Sequence, residues 1–298
     1  MEEILETQTK IEERELKDEK EIKESKKKKS FTICGITIWR LMAYFIIYSI
    51  AGFIIETIFG AVTKGVIESR KSFLYGPFCA IYGVGAVVMI IGLQHFKKNN
   101  YTLFLGGFII GSVVEYIVSW VGEMIFHVMW WDYSTMPFNI NGRICVAFSF
   151  FWGVLAIYLM SHINPKVDKL IDKMLGKFKA KPLKILALIG VILMFIDWVI
   201  TGFALKMFYV RLADNYNLEL KAAEEYIMDV RELYQNEDIS NFVYRYFSDE
   251  KMLKTFPNLK LMSKDGEIIY VSDVLKDIQP YYVRIFTPVI PKKLTKGE

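Results

Sequence analysis

Four carboxylic acids stand inside otherwise apolar stretches of this chain: Glu56, Glu115, Glu123 and Asp197. His127 stands near the end of one of them. An ionisable group in lipid costs roughly 2.5–3.5 kcal/mol on insertion scales, so each needs a partner or a function. The residue types allow several chemistries. The acids and Arg143 could form an interior network of hydrogen bonds and ion pairs. They could line a path for a polar substrate or an ion. Glu56, Glu123, His127 and Asp132 have the donor types for a divalent metal, although no helix carries a recognised ligand motif. Acid–base chemistry by a buried carboxylate is a further reading, but nothing marks a nucleophile. No catalytic residue is assigned, no cofactor is identified, and an enzyme is the less favoured reading.

The spacing is more informative than the types. Gly107, Gly111, Glu115, Ser119, Glu123 and His127 recur at every fourth position. Such positions lie on successive turns of one helix face and drift about 40° per step. Gly52, Glu56 and Gly60 repeat the interval, and Ser149 and Gly153 echo it. Small residues four apart let a second helix approach closely. These stripes are therefore expected to face each other.

The elements that must carry these residues follow from composition. The 298 residues are 53% hydrophobic, with a mean hydropathy of +0.27. Residues 1–30 hold nineteen charged side chains and residues 209–298 hold twenty-eight, against twenty-three in the 178 residues between. This excludes an ordinary soluble enzyme and a disordered chain. About 20 apolar residues cross a hydrocarbon core, and five stretches qualify: 39–62, 74–95, 101–128, 144–160 and 185–210. Each is expected to be a helix, because backbone groups in lipid must bond within the segment. The expectation is an all-α polytopic membrane bundle with a four-helix core plus one.

The organisation expected is a charged cytoplasmic tail (1–38), a four-helix core (39–163), an amphipathic basic helix on the inner surface (164–184), a fifth span (185–210) and a polar, mostly helical C-terminal segment (211–298). Within that segment, helices are expected over 218–235 and 238–247, and Lys264–Glu267 reads as a turn before a short strand. Lys26–Lys29, Lys97–Lys98 and the seven lysines from Lys166 to Lys184 fall on one side, taken as cytoplasmic. Lys64, Arg70 and Lys71 fall on the other and disagree. The C-terminus is then external. By parity, Glu56, Glu123, His127, Asp132, Asn141 and Arg143 gather towards one membrane face, with Glu115 nearer the middle. These seven are the candidate site. Trp152 reads as a packing residue, and Gly83 and Gly85 as points of helix approach. Three cysteines, Cys34, Cys79 and Cys145, imply no disulfide framework.

Several stretches resemble a known family. They are Gly52-Phe53-Ile54-Ile55-Glu56-Thr57, the run from Tyr75-Gly76-Pro77 to Gly85-Ala86, Val114-Glu115-Tyr116 and Glu123-Met124-Ile125-Phe126-His127. Trp131-Asp132-Tyr133-Ser134, Asn141-Gly142-Arg143-Ile144-Cys145 and Phe151-Trp152-Gly153 complete the set. Together they resemble the bacterial ABC-transporter type IV membrane family over residues 44–165, with Tyr75 where the family usually has Asn. Ile196-Asp197-Trp198 resembles the extra helix of longer members. The resemblance implies a permease-like component of the cell membrane that works with an ATPase on another chain. The sequence itself contains no GxxxxGK[ST] phosphate loop. A non-transporting scaffold or regulator, and a lipid-modifying membrane enzyme, are the alternatives. The partners expected are the lipid bilayer, a separate ATPase subunit and a further copy of the chain, with no nucleic acid.

Overall fold

The structure is a computed structural model that describes residues 31–96, 99–221, 224–278 and 282–286. Residues 1–30, with Lys26–Lys29, and Lys97–Lys98 lie outside the described residues. The chain divides into residues 1–41 and residues 42–298. In the first, strands β1 (Thr32–Ile33) and β2 (Ile36–Thr37) form a hairpin. Its turn residues Cys34 and Gly35 both have positive φ, as a tight hairpin turn requires.

Helix α1 runs Ile38–Lys64, α3 Asn100–Phe126 and α6 Ala180–Tyr216. A fourth long helix, Val146–Lys177, consists of α4 (Val146–Tyr158), a π-turn (Leu159–Ile163) and α5 (Asn164–Lys177). These four are long and apolar enough to cross a membrane, and their helical backbones satisfy their own hydrogen bonds. The fifth apolar helix, α2 (Ala80–Leu93, with a 3₁₀ turn to Phe96), is shorter. The all-α membrane bundle expected from composition is therefore what the chain forms.

Three boundaries differ from expectation. The second span does not begin at residue 74. Gly76 has φ +68° and precedes Pro77, so Leu74–Cys79 form an irregular segment and the helix starts at Ala80. The basic amphipathic segment is not a separate helix: it continues the fourth span through the π-turn. Buried Asn164 marks the junction, where its Oδ1 accepts from the Tyr48 hydroxyl at 2.9 Å and Tyr44 bonds Asp168 beside it. The helix expected from residue 218 begins at Glu224 as α7 (Glu224–Gln235). Leu220 and its neighbours instead pair with a strand edge, Lys221 N donating to Met262 O at 2.9 Å.

After α7 come α8 (Glu237–Tyr246) and α9 (Asp249–Thr255). Asn236 and Ser248 cap them through side-chain oxygens. Strands β6 (Lys260–Met262) and β7 (Ile268–Tyr270) pair antiparallel across a turn containing Gly266 (φ +83°), as the Asp265-Gly266 pair suggests. Helix α10 is Val271–Val274.

The end of α6 is enclosed by this segment. A 37-residue helix is ~55 Å long, well beyond a ~30 Å hydrocarbon core. From Ala204 to Ala213 nearly every side chain is buried except Lys206, on all sides of the helix, among Leu220, Val243, Met252, Leu261 and Val271. Phe126, Val128 and Leu74 belong to the same core, so the C-terminal segment packs where α3 ends and α2 begins. It also reaches the end of α1. Strand β3 (Val66–Ile67) pairs with β8 (Val283–Arg284), and Lys64 Nζ donates to Asn258 Oδ1 at 2.7 Å.

Arg211 is the one buried cation in that run. Its Nε donates to Asp249 Oδ1 at 2.6 Å and its Nη2 to Phe247 O at 2.7 Å. Removing one member of such a pair strips a buried charge of its partner. Arg211→Ala should cost about 2–4 kcal/mol. The check is a lower thermal midpoint in detergent together with faster proteolysis of the C-terminal segment.

Candidate functional site

A glycine followed four residues later by a glutamate occurs in two helices and has the same consequence in both. In α3, a Cβ on Gly111 would lie 2.4 Å from Trp152 Cγ, so only glycine admits this indole from α4. The ring lies over Gly111, and its Nε1 reaches one turn along to donate to Glu115 Oε2 at 3.0 Å. In α1, a Cβ on Gly52 would lie 2.4 Å from Tyr82 Cβ. The Tyr82 hydroxyl then donates to Glu56 Oε1 at 2.7 Å. The two rings meet, with centroids 5.5 Å apart. Each carboxylate is thus served by the aromatic residue that its own glycine admits.

Glu115 is buried, and its second oxygen is also used. The Tyr133 hydroxyl donates to Oε1 at 2.9 Å. Burial, and next the charge of Glu115, push the Tyr133 pKa well above the usual tyrosine range, so this hydroxyl remains a donor. Tyr133 arrives from the loop between α3 and α4. Strands β4 (Asn139–Ile140) and β5 (Ile144–Cys145) form a hairpin there, with Asn141 and Gly142 both at positive φ. Asp132 accepts from Ser134 N (2.9 Å) and Ser134 Oγ (2.8 Å), which shapes the turn. Tyr133 stacks on Phe148 at 4.6 Å.

Arg143 follows the turn and ion-pairs with Glu123. Its guanidinium lies 5.5 Å from the Tyr116 ring centroid, and Asn141 Nδ2 donates to the Tyr116 hydroxyl at 2.9 Å. Arg70 is the counterpart for Glu56. Its Nη1 is 3.9 Å from Glu56 Oε2 and its Nη2 is 3.1 Å from Glu68 Oε1. Gly60 leaves room for this group, since a Cβ there would fall 2.7 Å from Nη2. The Gly52, Glu56 and Gly60 stripe is therefore a groove for Tyr82 and Arg70. Gly83 also makes a close approach, with a virtual Cβ 2.2 Å from Ser49 Oγ.

The seven predicted residues do not form one cluster. Glu115 and Glu56 sit on either side of the Tyr82–Trp152 contact. Glu123, Arg143 and Asn141 form a second group around Tyr116. Asp132 serves its own turn. His127 leaves the stripe: it is the left-handed C-cap of α3 (φ 54°), and its ring is 5.6 Å from Tyr209 of α6. A drift of ~40° per step accumulates to ~200° between Gly107 and His127, enough to reverse the face. Asp197 is also separate. Its carboxylate accepts from Tyr75 N at 3.1 and 3.3 Å and from Thr201 Oγ1 at 3.3 Å, while Thr201 accepts from Leu74 N at 2.9 Å. Among the described residues, no group of three or more His, Cys, Asp or Glu could hold a metal ion.

Tyr82, Tyr133 and Tyr116 lie in the stretches that resemble the family but, like Arg70, are not among the seven candidates. Trp152 was read only as packing. Arg70 counted merely as a cation on the wrong side. Its signal was its place, eight residues after the first span and two after Glu68.

A cavity of about 920 Å³ adjoins the first group. Glu56, Glu115, Tyr82, Tyr133 and Arg70 line it, and the remaining wall is mainly aromatic and aliphatic. Glu123, His127, Asp132, Asn141 and Arg143 do not.

Fold and site define a multi-pass helical membrane protein with two carboxylates bonded by aromatic donors between its helices and a cavity beside them. The family model described as "Putative ABC-transporter type IV" matches residues 43–202, over half of the chain, and the protein belongs to that family. No curated protein and no solved structure matches it.

Gly111→Ala tests the glycine–glutamate unit. The added methyl would push Trp152 away from Glu115, an overpacking cost of about 1–3 kcal/mol. A matching fall in the thermal midpoint of the detergent-solubilised protein is expected, with altered Trp fluorescence.

Proposed function

We propose that this protein is a permease-like membrane component of an ABC-type transport system whose ATP hydrolysis is carried out by a separate subunit. The cavity supports this reading most directly. Its size is at the upper end for small-molecule sites, and its mainly apolar wall carries a few convergent polar groups. Family membership and the missing phosphate loop agree with it. Of the seven candidate residues, Glu56 and Glu115 are the ones assigned to the cargo path. Glu123, His127, Asp132, Asn141 and Arg143 support the loop above it.

One observation favours the alternative of a non-transporting scaffold. Both Glu115 oxygens accept hydrogen bonds within the chain, and Glu123 is ion-paired. Two glutamine variants separate the readings. For a permease, an ATPase subunit co-purifies with the full chain in mild detergent. Glu56→Gln then lowers the ATPase activity of that complex about tenfold or more at unchanged thermal midpoint. Glu123→Gln acts through stability alone. If no ATPase is recovered and both variants change only the thermal midpoint, the scaffold reading stands.

The proposed orientation places the N-terminus in the cytoplasm and the C-terminal segment outside. Ser134 is exposed in the loop on the C-terminal side. A cysteine introduced there by Ser134→Cys should react with an impermeant thiol reagent in intact cells. Labelling only after lysis reverses the orientation.

A further inference from the structure

Arg70 lies in the irregular segment between α1 and α2, and its side chain is 12% exposed. Its guanidinium has five N–H donors in a planar fork. Its Nε and Nη2 are buried and make no hydrogen bond among the described residues, and Glu56 and Glu68 are ion-pair neighbours of Nη1 and Nη2 at 3.9 and 3.1 Å. Ser69 Oγ, one residue earlier, is buried without a partner. Nη1 is beyond hydrogen-bond reach of Glu56, which leaves this edge able to serve another acceptor. Ser69, Arg70, Lys71 and Ser72 all line the cavity beside Glu56, so its polar wall sets two cations and two hydroxyls in sequence against one carboxylate.

The other walls have the opposite character. Phe148, Phe151, Trp152, Val191, Phe195 and Trp198 line them. Glu115 contributes a carboxylate, but its two oxygens already hold Tyr133 and Trp152. A second anion is therefore excluded from that end. Ile58, Val62, Ile117 and Phe195 line the cavity and are at the same time exposed on helices long enough to span a bilayer. In a membrane those side chains meet lipid, so the way in for an apolar chain is sideways from the bilayer.

We infer that the cavity binds an anionic phospholipid, its phosphodiester head at Arg70 and Ser69 and its acyl chains along the aromatic walls. Arginine suits this head because the Nη1 N–H groups can make charge-assisted bonds to phosphate oxygens while Nη2 stays beside Glu68. As a cargo assignment the inference rests on the permease reading. As a binding site it does not.

Four of the six tryptophans, Trp130, Trp131, Trp152 and Trp198, line the cavity, so brominated acyl chains report entry by quenching. The full chain, purified in detergent micelles, is titrated with brominated phosphatidylglycerol and, separately, with brominated diacylglycerol, which has the same chains but no phosphodiester. Phosphatidylglycerol should bind about tenfold more tightly, the worth of a charged hydrogen-bond pair. Arg70→Gln should remove the preference. Should that variant not fold, two others serve. Arg70→Lys keeps the charge without the fork and should weaken the preference. Val118→Phe, on the cavity wall, should reduce quenching by both lipids. Inorganic phosphate should not compete.

Equal affinity for the two lipids overturns the inference, as does a preference unchanged in the Arg70 variants or quenching unchanged in Val118→Phe. Competition by inorganic phosphate would show a free-anion site instead. A lipid preference without any co-purifying ATPase would sink the permease reading and leave the lipid site. The reverse would leave a permease with a different cargo.

Discussion

A carboxylate placed among apolar helices must receive donors from its own protein, and Glu115 shows what that demand imposes. One oxygen takes the Trp152 indole N–H and the other the Tyr133 hydroxyl. The first bond fixes the register of α3 against α4. The second draws the connecting loop back onto the helix pair. Asp132, Asn141 and Gly142 then appear as the parts that let the loop make that return. Asp132 bonds the turn, and the two left-handed residues close the hairpin. A large share of the polar residues in residues 127–145 thus follows from one acid near the middle of α3.

The glycines are the other half of the same constraint. A polar tip can reach a buried carboxylate only if its ring or fork can lie against the helix that carries the acid. Gly111 admits Trp152, Gly52 admits Tyr82 and Gly60 admits Arg70. In lipid, close approach gains little from hydrophobic burial and depends on packing and hydrogen bonds. Here one glycine supplies both, because the contact it permits ends in a bond to the glutamate one turn away. The Tyr82–Trp152 contact then joins the α1 and α3 units across the bundle.

The helices, their order and the four-residue stripes were legible in the sequence because each depends on spacing within one segment. Parity of the spans also placed Glu56, Glu123 and Arg143 towards one end, and the structure pairs Arg143 with Glu123. The donors to Glu56 and Glu115 were not legible. Tyr82, Trp152 and Tyr133 come from other elements, and spacing within a helix says nothing about register between helices. His127 misled for a different reason: its interval fits the stripe, but the accumulated drift and the left-handed cap carry it to Tyr209. The late start of α2 was written in Gly76-Pro77, a local signal that hydropathy averages away.

The segment carrying Arg70 is fixed from three directions, and this joins the polar wall of the cavity to distant parts of the chain. Asp197 and Thr201 of α6 hold the Leu74 and Tyr75 N–H groups. Cys79 N donates to Ser49 O of α1 at 2.8 Å. From the C-terminal segment, Asn258 accepts from Lys64 and donates to Glu68 Oε1 at 3.0 Å, the oxygen that also faces Arg70. Glu68 is consequently shared between the C-terminal segment and the guanidinium. A displacement of Asn258 would remove one neighbour of Glu68 and change the charge that Arg70 meets. Because the C-terminal segment shares its core with α6 and the end of α3, such a displacement cannot stay local. The cavity's one strongly polar wall is thus set jointly by α1, α6 and the C-terminal segment, although the family match ends at residue 202, within α6.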